Sequence, residues 1–229
     1  MASMRPLLHI INRMTNAIKQ IRTLRTEFSY TPLDDKKIDK NPLRQFNKWM
    51  LEALKANTGE PNAMTLATVD NKGFPQARVV LLRGVDENGF SFFTNYRSAK
   101  GKELLSRKAC LNFFWIELTR QVRVVGTVKK LSAKESDAYF NSRPRESQLS
   151  AWASHQSEKV GSREELEKKY ALMVKKFQNK KVPRPSYWGG YVLKPVTIEF
   201  WQGKQNRLHD RILFTKSKNG KWKAERLSP

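Results

Sequence analysis

The sequence predicts a mainly β protein with helices, an α+β chain that closes into a full or split β-barrel rather than a doubly wound sheet. Two observations carry this. From residue 63 the apolar pattern runs largely at a period of two, in about seven strand-length segments whose short connections make most neighbours antiparallel. Helical stretches are inserted between these hairpins, and a 39% hydrophobic composition is enough to pack a core over 229 residues.

Taken in order, residues 1–26 hold Arg5, Arg13, Lys19, Arg22 and Arg25 and no acid, with Ile11, Met14, Ile18 and Ile21 at helical spacing. A basic amphipathic helix follows, and three readings fit it: a mitochondrial presequence, a surface-lying helix, or an arm packed on the body. Residues 29–41 read as a polar linker. Pro42 suits the first turn of a helix over 42–57 that buries Leu43, Phe46, Met50 and Ala53 and stops near Asn57-Thr58-Gly59. Ala63–Val69, the turn Asn71-Lys72-Gly73 and Gln76–Leu82 form a hairpin. Asp86-Glu87-Asn88-Gly89 turns the chain into Phe90–Asn95. A short helix over 98–106 precedes strands at 110–116 and 121–130. Ser132-x-x-Glu135 and Ser162-x-x-Glu165 read as capping boxes opening two helices, the second with Leu166, Tyr170, Met173, Val174 and Phe177 on one face. Strands at 190–201, 211–216 and 221–227 complete the chain, with Asn219-Gly220 turning the last pair and Trp188-Gly189-Gly190 marking a close backbone approach.

Composition narrows the function. There are 44 Lys+Arg against 21 Asp+Glu, a formal charge of +23, so an anionic ligand or partner is expected. No apolar run reaches the roughly 20 residues of a membrane span. No zinc-finger spacing, Walker loop or dinucleotide fingerprint is present, and no specific nucleic-acid partner is expected. The single Cys110 indicates a reducing compartment, and three histidines offer no metal-ligand spacing.

Four clusters could carry chemistry. Arg78-Val79-Val80-Leu81-Leu82-Arg83 is a strand with an arginine at each end, five residues apart and so on opposite faces unless a bulge intervenes. Residues 143–157 combine Arg143, Ser147, Gln156 and Ser157 in a hydroxyl-, amide- and arginine-rich stretch that suits an anion cradle. Arg207, His209 and Arg211 alternate and would share a strand face, where flanking cations would hold the imidazole neutral. Phe93-Thr94-Asn95 followed by Lys100 is a strand end leading into a helix start. No serine-nucleophile elbow or paired carboxylates are recognisable. Phosphorylated ligands with chemistry delegated to a cofactor are therefore expected.

At these clusters the sequence resembles the pyridoxine/pyridoxamine 5′-phosphate oxidase family. The matching strings include Arg78–Leu82, Phe93–Asn95, Arg120–Val124, Tyr139-Phe-x-Ser-Arg-Pro144, Ala151-Trp-Ala-Ser-x-Gln-Ser157, Trp188–Gly190, Glu199–Gly203, Asn206–Arg211 and the ending Arg226–Pro229. They run in order from about residue 42 to the C-terminus, with a weaker echo at Leu24–Phe28. The resemblance implies a homodimeric FMN-binding split barrel over 42–229, flavin at the subunit interface, and a basic arm and linker over 1–41 serving as a lid or targeting segment.

The implied reaction oxidises pyridoxine or pyridoxamine 5′-phosphate to pyridoxal 5′-phosphate. Hydride passes from substrate C4′ to flavin N5, and O2 reoxidises the flavin to give H2O2. Implied FMN contacts are Arg78, Val79, Val80, Leu81, Leu82, Phe93, Thr94, Lys100, Gln121, Gln156, Ser157, Trp201 and Arg211. Implied substrate contacts are Arg83, Tyr139, Arg143, Ser147, Arg207, Leu208 and His209, with Arg25 and Phe28 in the lid and Arg207 and His209 as the catalytic pair. Another split-barrel flavin reductase, or a basic nucleic-acid binder on a flavin fold, are the alternatives. The cytoplasm is the expected compartment, with mitochondrial targeting by residues 1–26 as the other possibility.

Four positions depart from the family pattern. Ala99 stands where an FMN-phosphate arginine is usual, Arg83 where a lysine is usual, Ser150 where a glycine is usual, and Phe28 where a tyrosine is usual.

Overall fold

A computed structural model describes residues 20–23, 32–56 and 58–229. Residues 20–23 are helical; the rest of the expected N-terminal helix, with Arg25 and Phe28, lies outside the described residues, as does Asn57. Helix α1 (Pro42–Lys55) begins at Asn41, whose side chain accepts from the amides of Leu43 and Arg44. Phe46 and Ala53 are buried as expected, whereas Leu43 and Met50 only flank the core. Trp49 and Gln45 occupy the remainder of the buried face.

Among the described residues nine strands, rather than about seven, build one sheet, all paired antiparallel. They are β1 (Ala63–Val69), β2 (Pro75–Leu81), β3 (Gly84–Asp86), β4 (Gly89–Asn95), β5 (Lys108–Trp115), β6 (Arg120–Lys130), β7 (Trp188–Gln202), β8 (Asp210–Lys216) and β9 (Trp222–Arg226). The path β2-β1-β5-β6-β7-β4-β3 branches at β7, which also carries β8 and then β9. That branch splits the barrel. The first six residues of the fifteen-residue β7 pair with β4, and Thr197–Gln202 pair with β8. A register shift between Val125 and Gly126 lets β6 follow both halves. Only glycine fits at 126, because a Cβ there would lie 2.1 Å from the Lys194 carbonyl oxygen.

The core fills the inside of the sheet, where Phe46 meets Phe90 and Phe113 edge-on at 4.9 Å each. Phe92, Leu66, Leu111, Ile198, Phe200 and Phe214 are fully enclosed around them. Residues 32–35 dock on the body rather than hanging free. Leu33 is buried, its amide donates to Asp210, and Arg226 bonds its carbonyl and Asp35.

Helix α2 (Ala99–Glu103) with a following 3-10 turn occupies the expected 98–106 segment. Helix α3 (Ala133–Ser142) opens with the complete Ser132/Glu135 capping box. Helix α5 (Arg163–Lys176) has half of one: Ser162 accepts from the Glu165 amide, but the Glu165 carboxylate reaches the amide of Gly161 instead. Its apolar face is narrower than expected, since Val174 is exposed while Phe177, just past the helix, is buried. Helix α4 (Arg145–Ala153) was not legible as a helix, because its alternation of Ser, Arg, Glu and Gln with only Leu149 and Ala153 buried resembles a polar loop.

Candidate functional site

The ends of β2 and β4 and the helices α2, α3 and α4 line a half-open cavity of about 370 Å3. Of the residues expected at a ligand, Val79, Val80, Leu81, Arg83, Phe93, Thr94, Lys100, Tyr139, Arg143 and Gln156 line it. Asn95, Ser150, Ala151, Ser154 and Trp188 line it as well and are not among the expected ligand contacts. The helical period explains three of them: Ser147, Ser150, Ala151 and Ser154 share one face of α4, a relation invisible until that stretch is known to be a helix. Ser147 itself is half-buried on that face without lining the cavity.

One wall is aromatic. Tyr139 stacks on Phe93 at 3.9 Å and 20°, and Trp188 lies nearly parallel to both. Gly189 makes this wall possible by packing against Tyr96, whose hydroxyl would lie 2.1 Å from a Cβ there. The Trp188-Gly-Gly190 corner thus brings backbone and rings together as expected.

The charges on the cavity are all positive. Arg143 lies over the Trp188 ring at 4.6 Å, and Arg83 over Tyr139 at 5.8 Å. Among buried side-chain polar atoms of the described residues, Arg143 Nη1 alone has no hydrogen-bond partner. Burial, with Arg83 adding to it and Tyr139 opposing, holds the Arg143 guanidinium below its usual range. Lys100 is buried; desolvation first, then neighbouring Arg78, lowers its pKa against the pull of Glu103. A cavity with a buried unsatisfied cation, a desolvated lysine and stacked rings fits an aromatic ligand carrying phosphate. The residues therefore suit a flavin mononucleotide and a phosphorylated ring, since every charged group lining the cavity is a cation and its other polar side chains are neutral.

Arg78 stands behind the cavity. Its guanidinium pairs with Glu103 at 2.7 Å and bonds Thr68. Leu82 is in the core, and Arg83 lies just beyond the end of β2, so strand alternation does not govern the pair Arg78/Arg83. Ser157, at φ 73°, follows Gln156, whose side chain meets Thr94 at 3.2 Å.

The remaining expected residues form a second cluster, on the outer face of β6–β8. Gln121 pairs across the ladder with Trp201, and Trp201 with Arg211. His209 packs its ring 4.7 Å from Trp201, and its Nδ1 accepts from the Lys204 amide. Arg207 and His209 are not on a strand as expected. They belong to a 3-10 turn (Gln205–Arg207) and the residues after it, with Asn206 and Arg207 at φ 57° and 60°. His209 is nonetheless held below its ordinary value, by burial first and then by Arg207. Leu208 beside it is exposed. None of Gln121, Trp201, Arg207, Leu208, His209 and Arg211 lines the cavity of its own chain. The same outer face exposes Phe114 and Val125. No group of acidic, histidine or cysteine side chains among the described residues could hold a metal ion, and no described helix is long and apolar enough to cross a membrane.

Comparison with known proteins agrees with this geometry. Residues 50–175 match the family model described as pyridoxamine 5′-phosphate oxidase, and residues 188–229 the pyridoxine 5′-phosphate oxidase C-terminal dimerisation region. A pyridoxine/pyridoxamine 5′-phosphate oxidase of Nostoc punctiforme is 50% identical over 212 residues, covering 92% of this chain and 99% of its own. One from Paraburkholderia phytofirmans is 53% identical over 208 residues, covering 90% and 97%. Among solved structures, PhzG from Burkholderia lata in complex with tetrahydrophenazine-1-carboxylic acid superposes with a TM-score of 0.82 at 29% identity, covering 89% of this chain and all of its own. A pyridoxamine 5′-phosphate oxidase-related, FMN-binding protein of Nostoc punctiforme shares the fold at TM-score 0.66 and 18% identity, covering 84% of this chain and all of its own. With the split sheet, the cationic aromatic cavity and the C-terminal match all in place, the chain belongs to the pyridoxine/pyridoxamine 5′-phosphate oxidase family.

Proposed function

We propose that the protein oxidises pyridoxine 5′-phosphate or pyridoxamine 5′-phosphate to pyridoxal 5′-phosphate, as an FMN-dependent homodimer. The observation that carries this reading is Arg143, a half-buried guanidinium with an unsatisfied buried nitrogen beside a stack of three aromatic rings. A phosphate monoester supplies the missing acceptor, and a flat heterocycle suits the rings. Arg83 adds a second cation for the same phosphate, and Ser147 in the first turn of α4 is read as adding a hydroxyl. FMN held there would supply the two-electron acceptor for hydride from C4′, with O2 as the final acceptor and H2O2 as its product.

The chain's own residues do the binding and orienting. The β2 edge Val79–Leu81, Phe93, Thr94, Gln156 and Lys100 hold the cofactor on one side, with Arg78 behind Lys100 and paired to Glu103. Gln121, Trp201 and Arg211 are read as contacts from the second cluster, and Arg207, Leu208 and His209 as those facing the reacting end of the substrate. Because this cluster does not line the cavity of its own chain, a dimer is the assembly that unites the two halves across its interface. The match of residues 188–229 to a dimerisation region supports it. His209, kept neutral by burial and then by Arg207, accepts the Lys204 amide at Nδ1 and so carries its proton on Nε2, where it can donate a hydrogen bond to the reacting end of the substrate.

The test is oxygen-dependent aldehyde formation from pyridoxine 5′-phosphate by purified protein supplied with FMN. Activity that requires FMN and is lost in Arg207→Ala with flavin still bound is expected. Absence of aldehyde formation from both phosphorylated substrates would refute the assignment. A flavin reductase of the same fold would bind FMN equally well without needing Arg143, Tyr139 and Arg207 together.

A further inference from the structure

Glu199 is a carboxylate in the C-terminal part of β7 with 3% of its surface exposed, on the outer side of the sheet beside the second cluster. It joins three strands. Its Oε2 accepts from Arg123 of β6, its register partner. Its Oε1 accepts from Nε of Arg211 on β8 at 2.8 Å and is ion-paired with Nη2 of the same guanidinium, also at 2.8 Å. The third Arg211 nitrogen, Nη1, donates to the Ser228 carbonyl at 2.9 Å. Two of the five guanidinium N–H groups are thereby used in hydrogen bonds, and both terminal nitrogens keep N–H groups to offer. The guanidinium is fixed by two hydrogen bonds and an ion pair, yet keeps donors in a set geometry.

We propose that Glu199 is a positioning residue for the cofactor site, orienting Arg211 so that its remaining terminal N–H groups meet FMN and offsetting the charge that Arg123 and Arg211 would otherwise bring together. This rests on the reading of Arg211 as a cofactor contact. Burying a carboxylate is costly unless its bonds are filled, and the sheet does not require it. Glu199 opposes Leu213 on β8, where an apolar pair would serve the ladder as well. Arg211, for its part, needs an acceptor to be held at all, since an arginine side chain alone samples many rotamers.

The experiment measures FMN affinity by flavin fluorescence titration of the flavin-depleted full-length dimer, in the natural chain and in Arg211→Met, each with and without Glu199→Gln. Glu199→Gln is expected to weaken FMN binding about 10-fold in the natural chain, the loss of one charge-assisted bond. In the Arg211→Met background it should add less than about twofold, because the carboxylate then has nothing to orient. Substrate KM at saturating FMN should stay unchanged in Glu199→Gln. Equal losses in both backgrounds would mean a purely structural carboxylate and overturn the inference, as would no loss in either. If Arg211→Met itself leaves FMN affinity unchanged, the assignment of Arg211 to the cofactor fails first and the inference with it. Should the glutamine variant not fold, Glu199→Asp carries the same cycle, with about a threefold loss expected only where Arg211 is present.

Discussion

Replacing Arg143 by methionine should make the protein more stable and a poorer enzyme at once. In the absence of substrate, Nη1 is a buried donor without an acceptor, and such a group costs about 1–3 kcal/mol. Methionine has nearly the same reach and removes that cost. The change also gives up the cation–π contact over Trp188 at 4.6 Å, worth about 0.5–2 kcal/mol. The balance is a gain of about 1 kcal/mol, which for a chain of this length raises Tm by roughly 2–4 °C. Against this, the substrate phosphate loses a charge-assisted bond of about 1.5–3 kcal/mol, so KM for pyridoxine 5′-phosphate should rise about 10- to 150-fold at saturating FMN. Thermal unfolding of the FMN-bound protein, with and without added pyridoxal 5′-phosphate, reads both effects. The natural protein should gain stability from the added ligand and the variant should gain little. A variant that is less stable than the natural chain while KM stays within twofold would refute the reasoning, because Arg143 would then be a structural cation with partners of its own.

Three other outcomes can be checked directly. Ala99→Arg restores the charge usual at the first turn of α2, beside Lys100, and should tighten FMN about 10-fold or more if that position faces the flavin phosphate; unchanged affinity in a fluorescence titration would remove Ala99 from the site. Phe46→Ala empties the centre of the core, where Phe46 is fully buried against Phe90 and Phe113, and should cost about 3–5 kcal/mol in denaturant unfolding; a loss below about 1 kcal/mol would mean that α1 is not part of the cooperative core. His209 titrates below its ordinary 6.5, from burial and then from Arg207. Its protonation therefore favours the unfolded chain, and stability should fall as pH drops below 6.5 toward the lowered value. Arg207→Met should move the His209 resonance titration to higher pH, and an unmoved titration would show that Arg207 does not set the charge state of the imidazole.

Glu199 has the opposite linkage. Burial pushes its carboxyl up, but the hydrogen bonds from Arg211 and Arg123 outweigh this and hold it below the ordinary 4.5. Its contribution is complete above that pH and is lost on acidification through the lowered value. Loss of flavin should accompany that acid limb, since the same protonation releases Arg211.

Local chemistry was legible in the sequence because it depends on neighbours along the chain. Alternation placed β1 at Ala63–Val69 to the residue, the Ser132/Glu135 box announced α3, and Asn219-Gly220 turned β8 into β9. The residue types for two phosphorylated ligands were visible too, and Arg83, Phe93, Thr94, Lys100, Tyr139, Arg143 and Gln156 do meet around one cavity. Helix α4 escaped notice because only two of its nine side chains are buried, so its period is nearly silent, and with it went Ser150, Ala151 and Ser154. The loop at 205–209 escaped because two non-glycine residues adopt left-handed backbone there, which no local pattern foretells. Only the tertiary structure decided that the expected site residues separate into two groups. That separation follows from β7, which hands one half of its length to β4 beside the cavity and the other to β8 on the outer face; which half a residue joins is a matter of long-range pairing and register, not of its neighbours in the chain.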